Sequence, residues 1–133
     1  MPAQQLDLFI PWLMKETGAK KFYLPSAEYI WPHVMNKKVR EIVTANGGTI
    51  EGEEYFPRDH ADYGKTVEKI MSSGTEVVFN TIVPPGLMRF LEQLDRLNMY
   101  IAYASNGIFQ VVKNLGVIEP NESVVSARQA TSR

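Results

Sequence analysis

Short β-rich apolar runs alternate with amphipathic helical stretches along most of this chain, and glycine or proline marks nearly every change of period. Phe22-Tyr23-Leu24 closes on Pro25, Thr49 to Phe56 follows Gly47-Gly48, Val77-Val78-Phe79 follows Gly74, and Met99 to Ala104 precedes Asn106-Gly107. Each of these runs reads as a strand. Between them lie helical spacings. Leu6, Phe9, Ile10, Leu13 and Met14 end at Gly18, and Val34, Val39, Ile42 and Val43 lie within Trp31 to Asn46, with Pro32 in the first turn. Asp62 to Ser73 reads as a third helix with Asp62 as its N-cap, and Leu87, Phe90, Leu91, Leu94 and Leu97 form a fourth after Pro84-Pro85. Phe109 to Leu115 is read as a short helix, Ser123 to Ala127 as a fifth strand, and residues 129–133 as a frayed tail.

Strands separated by helices of this length need crossover connections, which makes neighbouring strands parallel and covers both faces of the sheet. The expected fold is therefore α/β: a three-layer, doubly wound parallel sheet with the flavodoxin-like, Rossmann-like strand order 2-1-3-4-5. Right-handed crossovers place strands one and three side by side. No repeat, low-complexity tract or linker divides the chain, so residues 1–133 are read as one domain.

Charge and composition remove several classes of function. The 14 basic and 15 acidic side chains are scattered and sum to −1, which leaves no electrostatic footprint for nucleic acid or anionic lipid. No apolar run is long enough to cross a bilayer, and Met1 to Leu13 lacks the pattern of a signal peptide, so as written the chain is expected to stay in the cytoplasm. The absence of cysteine excludes disulfides, thiolate metal sites and cysteine nucleophiles. Neither a Gly-x-Ser-x-Gly elbow, nor a Gly-x-x-x-x-Gly-Lys-Ser/Thr loop, nor a Gly-x-Gly-x-x-Gly turn after a strand occurs. His33 and the cluster Arg58-Asp59-His60-Ala61-Asp62 lack a fixed metal-ligand spacing and are read as surface loop and helix cap. Strand three ends in Asn80-Thr81 without the aspartate of a phosphoacceptor receiver. No metal, cofactor or catalysis is expected; a small hydrolase would have to use Ser26 or Ser105 with His33.

Open α/β sheets bind ligands beyond the carboxyl ends of their strands, where strand order reverses. That rule selects the loops Pro25 to Pro32, Thr81 to Pro85 and Ser105 to Gly107. Their hydroxyls, amides, carboxylate and large aromatics suit a small, polar, largely neutral solute.

The words in these loops resemble a known family. Ser26-Ala27-Glu28-Tyr29-Ile30-Trp31-Pro32 resembles a segment in the second lobe of amide- and urea-type solute-binding proteins, relatives of the branched-chain amino acid receptors of ABC transporters. Asn46-Gly47-Gly48, Gly52-Glu53-Glu54-Tyr55-Phe56-Pro57 and Glu76-Val77-Val78-Phe79-Asn80-Thr81 stand where that family has similar words, over about Leu8 to Arg128. Pro25 and Glu28 depart from the family's glycine and aspartate. The resemblance implies a periplasmic or extracellular receptor lobe that recognises a solute without transforming it. It implies ligand contacts from Ser26, Glu28, Tyr29, Trp31, Thr81, Val83 and Ser105, a first lobe that this chain does not contain, and a transporter permease as partner of the parent protein. For Tyr29 and Trp31 the alternative is packing on the first turn of the second helix, and for Ser26 it is capping that helix. The alternative function is a stand-alone interaction module that pairs two copies through the face left without its lobe.

Overall fold

In the computed structural model, residues 5–105, 108–115 and 124–126 are described. The elements run α1 (Leu6–Thr17), β1 (Lys21–Ala27), α2 (Ile30–Ala45), β2 (Thr49–Phe56), α3 (Gly64–Ser72), β3 (Val77–Phe79), α4 (Gly86–Leu94), β4 (Asn98–Ser105), β5 (Ile108–Leu115) and β6 (Val124–Ser126). They build one sheet in the order β2-β1-β3-β4-β5-β6. The first four strands are parallel, with Phe22 beside Val77 and Val78 beside Ile101. The expected order 2-1-3-4-5 is therefore observed, but the expectation of a wholly parallel sheet is corrected: it is parallel only through β2, β1, β3 and β4, β5 runs antiparallel, and a sixth strand extends it.

Two expectations at the C-terminal side are corrected. Phe109 to Leu115 is not a helix: it lies within β5, which pairs antiparallel with β4 from Ser105↔Ile108 to Asn98↔Leu115. The strand expected at Ser123 to Ala127 appears as Val124–Ser126, and it is the sixth strand, antiparallel to β5. Alternation explains β5, because Phe109 and Val111 point to one face of the sheet and enter the core there, as a period of two requires. The expected frayed tail, residues 129–133, lies outside the described residues.

The strand pleat divides the core in two. Phe22, Leu24, Val77, Phe79 and Ala102 face α1 and α2, where they meet Phe9, Ile10, Leu13, Met35, Val39 and Val43. Tyr23, Val78, Met99 and Ile101 face the other way, toward Ile70 of α3 and Phe90 and Leu94 of α4. This is the three-layer arrangement expected for a sheet buried on both faces. Val34, counted as part of the apolar stripe of α2, instead faces solvent.

Helix ends follow the sequence signals with small shifts. Gly18 adopts φ 73° and donates its N–H to the Met14 carbonyl, closing α1. Asp62 is not the N-cap of α3, which is Tyr63 without a side-chain capping bond; the Asp62 carboxylate, one residue earlier, accepts from the N–H of Gly64 at 2.9 Å and from Gln93, bonds that hold its carboxyl below the usual range. Gly48 is required by space, since a Cβ there would lie 2.6 Å from the Lys20 carbonyl oxygen and 2.8 Å from a Val43 methyl.

Candidate functional site

The strand ends at the switch point are tied together by backbone bonds. Ser26 bridges Thr81 in parallel, Thr81 N–H donates to the Pro25 carbonyl at 3.1 Å, and Asn80 N–H donates to the Ala102 carbonyl at 2.8 Å. Beyond them the chain turns sharply. The Asn80 side chain accepts from the N–H of Ile82, which fixes the loop after β3, and that loop continues through a cis Pro84-Pro85 bond into α4.

Over these ends opens a cleft of about 560 Å³. Tyr29 and Trp31 wall it from the start of α2, Thr81 and Val83 from the loop after β3, Leu87 and Leu91 from α4. Ile101, Tyr103 and Ala104 of β4, Val112 of β5, and Asn80 and Ile82 complete it. Its size falls within the range of small-molecule sites, and its place is the carboxyl end of the sheet between β1 and β3, where strand order reverses.

Four of the expected site residues, Tyr29, Trp31, Thr81 and Val83, are thus brought together. Glu28 is not among the residues of this cleft. It lines an adjoining groove of about 380 Å³ with Ala27 and Arg58, and Tyr29 and Val83 belong to both hollows. Ser26 is 0% exposed and lines neither. Nor does it cap α2: its hydroxyl donates to the Leu24 carbonyl and accepts from Asn36 Nδ2 at 2.7 Å. Ser105 ends β4, but its side chain, like residues 106–107, falls outside the described residues.

The wall is more apolar than the loops alone suggested. Leu87, Leu91, Ile101 and Val112 read in the sequence as ordinary core positions of a helix and two strands, and nothing local marks them as cleft residues. The one buried polar group without a partner in the cleft is the Thr81 hydroxyl: Thr81 is 7% exposed, and its Oγ1 meets no hydrogen-bond partner among the described residues. A buried hydroxyl left in that state costs about 1–3 kcal/mol.

Behind β1 runs a chain of polar contacts that shapes the cleft's flank. The buried Asn36 donates to Ser26 and to the Tyr55 hydroxyl, Tyr55 donates to Glu53, and Glu53 receives Arg40 at 2.6 and 2.7 Å. Burial and the bond to Glu53 push the Tyr55 hydroxyl pKa up, and the bond to Glu53 likewise raises that of Arg40. The His33 ring lies flat on Tyr55 with centroids 3.7 Å apart, and its Nε2 meets the Glu28 carboxylate at 2.5 Å. The Ser26 hydroxyl is bonded to Leu24 and Asn36 and not to His33, so the contact between nucleophile and base that a hydrolase would need is not made by this pair.

Comparison with known proteins places this geometry. A branched-chain amino acid ABC transporter periplasmic ligand-binding protein from Burkholderia xenovorans LB400 superposes with a TM-score of 0.59 at 21% identity, over 67% of this chain and 24% of that one. A substrate-binding periplasmic protein from Ralstonia solanacearum gives 0.65 at 17% identity, over 80% and 30%. A solute-binding protein of an ABC transporter from R. palustris, in complex with 4-hydroxybenzoate, gives 0.56 at 15% identity, over 74% and 36%. The matched region is thus 24% to 36% of the length of these structures, and at such identities the likeness is one of fold. The sequence itself matches the family described as periplasmic binding protein domain over residues 1–112. A match over most of the chain, joined to a sheet that superposes on receptors of that kind, makes this protein a member of the periplasmic binding protein domain family.

Proposed function

We propose that this chain is a solute-binding lobe of an ABC-transporter receptor, and that it holds a small solute in the cleft between Tyr29, Thr81 and α4 without catalysis. The observation that carries this reading is the join of a 560 Å³ apolar hollow at the switch point with a buried Thr81 hydroxyl that has no described partner. Tyr29 and Trp31 form the aromatic wall, Thr81 supplies a hydrogen bond, Val83 supplies backbone groups, and Ser26 acts indirectly by holding Asn36 and the end of β1. Ser105, at the end of β4, is the remaining residue proposed to contact the solute. Among the solutes that the resemblance implies, a branched-chain amino acid or an amide with a branched body fits the apolar wall, whereas urea offers nothing to Leu87, Leu91 and Ile101. Transport partners are those of the family: a permease, and whatever further domain covers the cleft in a full-length receptor.

The test is a titration followed by amide chemical shifts, with leucine, isovaleramide and urea at millimolar concentrations. Leucine or isovaleramide is expected to move the signals of Tyr29, Ile82, Val83 and Ala104, weakly because only one side of the solute is covered. No movement at these residues with any of the three removes the reading.

A second reading rests on exposed apolar surface. Tyr29 is 47% exposed, Ile30 79% and Val34 54%, all at the start of α2 beside the cleft. A self-complementary patch of this kind would pair two copies about a twofold axis.

A further inference from the structure

The adjoining groove carries a charge that the apolar cleft does not explain. Arg58, on the loop after β2, lines the 380 Å³ groove together with Ala27, Glu28, Tyr29 and Val83. Its guanidinium makes no ion pair or hydrogen bond with a described residue. Glu28, which lines the same groove, meets His33 at 2.5 Å, and Asp62 accepts from Gly64 and Gln93. Asp59 lines neither hollow. Of the two charged side chains that line this groove, Arg58 is the one without a partner among the described residues.

Tyr29 and Val83 belong to both hollows, so a single solute that crosses them has its body among Leu87, Leu91 and Ile101 and its head toward Arg58. A guanidinium presents two parallel N–H donors that match a carboxylate and do not match a neutral amide. Resting on the reading of this cleft as a solute site, we infer that Arg58 is a specificity-determining residue which selects organic carboxylates with an apolar body over their neutral amides.

Benzoate and benzamide form a matched pair, alike in body and different in the charge of the head. Titrated into the full chain at low salt and followed by amide shifts, benzoate is expected to bind about fivefold more tightly than benzamide, the size of effect that a partly exposed ion pair supports. That preference shrinks at 0.5 M salt, since an exposed pair is screened. Arg58→Gln abolishes the preference by weakening benzoate alone and leaves benzamide binding unchanged, and Arg58→Lys keeps part of it. Arg58 is exposed and without packing partners in the core, so neither variant threatens the fold. Equal binding of the two at the cleft, or a preference that survives Arg58→Gln, overturns the assignment of Arg58 while leaving the cleft as a solute site. Shifts from neither compound overturn both.

Discussion

At the scale of single residues, Thr81 separates stability from function. Its buried hydroxyl has no described partner, so Thr81→Val, which keeps the shape and removes the polar atom, is expected to stabilise the chain by about 1 kcal/mol in urea unfolding. The same change weakens solute binding several-fold if that hydroxyl serves the ligand. A variant that is destabilised, or more stable with binding intact, would assign Thr81 a structural role instead. Tyr23 gives a pH dependence of known sign. It is buried against α3 and donates to Glu54, and burial, then that hydrogen bond, push its pKa well above the usual tyrosine value. An unfolded tyrosine ionises near pH 10, so the contribution of Tyr23 is complete below about pH 10 and is lost as pH rises toward its folded value. Stability should therefore fall as pH rises above about 10, and Tyr23→Phe should flatten that fall, because Glu54 keeps its bonds to Thr66 and Lys69. An unchanged slope would show that other groups dominate alkaline unfolding.

At the scale of elements, β5 shows what the sequence made legible and what it did not. The first four strands and the helices between them were readable because each ends on its own chemical signal, as α1 does at Gly18 and α2 at Gly47. The segment after β4, expected as a short helix, is a strand, and an apolar run as short as Phe109 to Leu115 suits either period. The contrary signs were present: Val111-Val112 is β-branched, and the two residues between the paired Ser105 and Ile108 are Asn-Gly, the dipeptide that most favours a two-residue hairpin loop. The cleft shows the same division. Its loop residues, Tyr29, Trp31, Thr81 and Val83, were found because the switch-point rule points to loops, whereas Leu87, Leu91, Ile101 and Val112 sit inside regular elements whose apolar residues look like core in any sequence. Because β5 is a strand, its Phe109 sits fully buried between Phe9 at 5.4 Å and Phe79 at 6.0 Å, joining the sheet to α1. Phe109→Ala should cost about 3–5 kcal/mol in chemical unfolding. A cost near zero would mean that β5 adds nothing to the cooperative core.

At the scale of the whole molecule, the two readings of the cleft end meet in one equilibrium. Ile30 and Val34 lie exposed beside a hollow lined by Leu87, Leu91 and Ile101, and burial of each large apolar side chain contributes about 1.5–3 kcal/mol. Two copies that cover each other there would form a twofold dimer, the commonest closed assembly. Trp31 packs partly against the core below α2, so Trp31→Asp disturbs both the patch and the fold, whereas Ile30→Asp touches the patch alone. Light scattering at high concentration should give a dimer mass for the native chain and a monomer mass for both variants, with Ile30→Asp as stable as the native chain. Because the dimer would occupy the walls that a solute needs, the two must compete: binding to the monomer draws the dimer apart by mass action, and the apparent dissociation constant of the dimer rises with solute concentration. A monomer mass for the native chain at every concentration removes the interface. A dimer whose dissociation constant ignores a solute that demonstrably moves Tyr29 and Val83 would place the contact elsewhere on the surface.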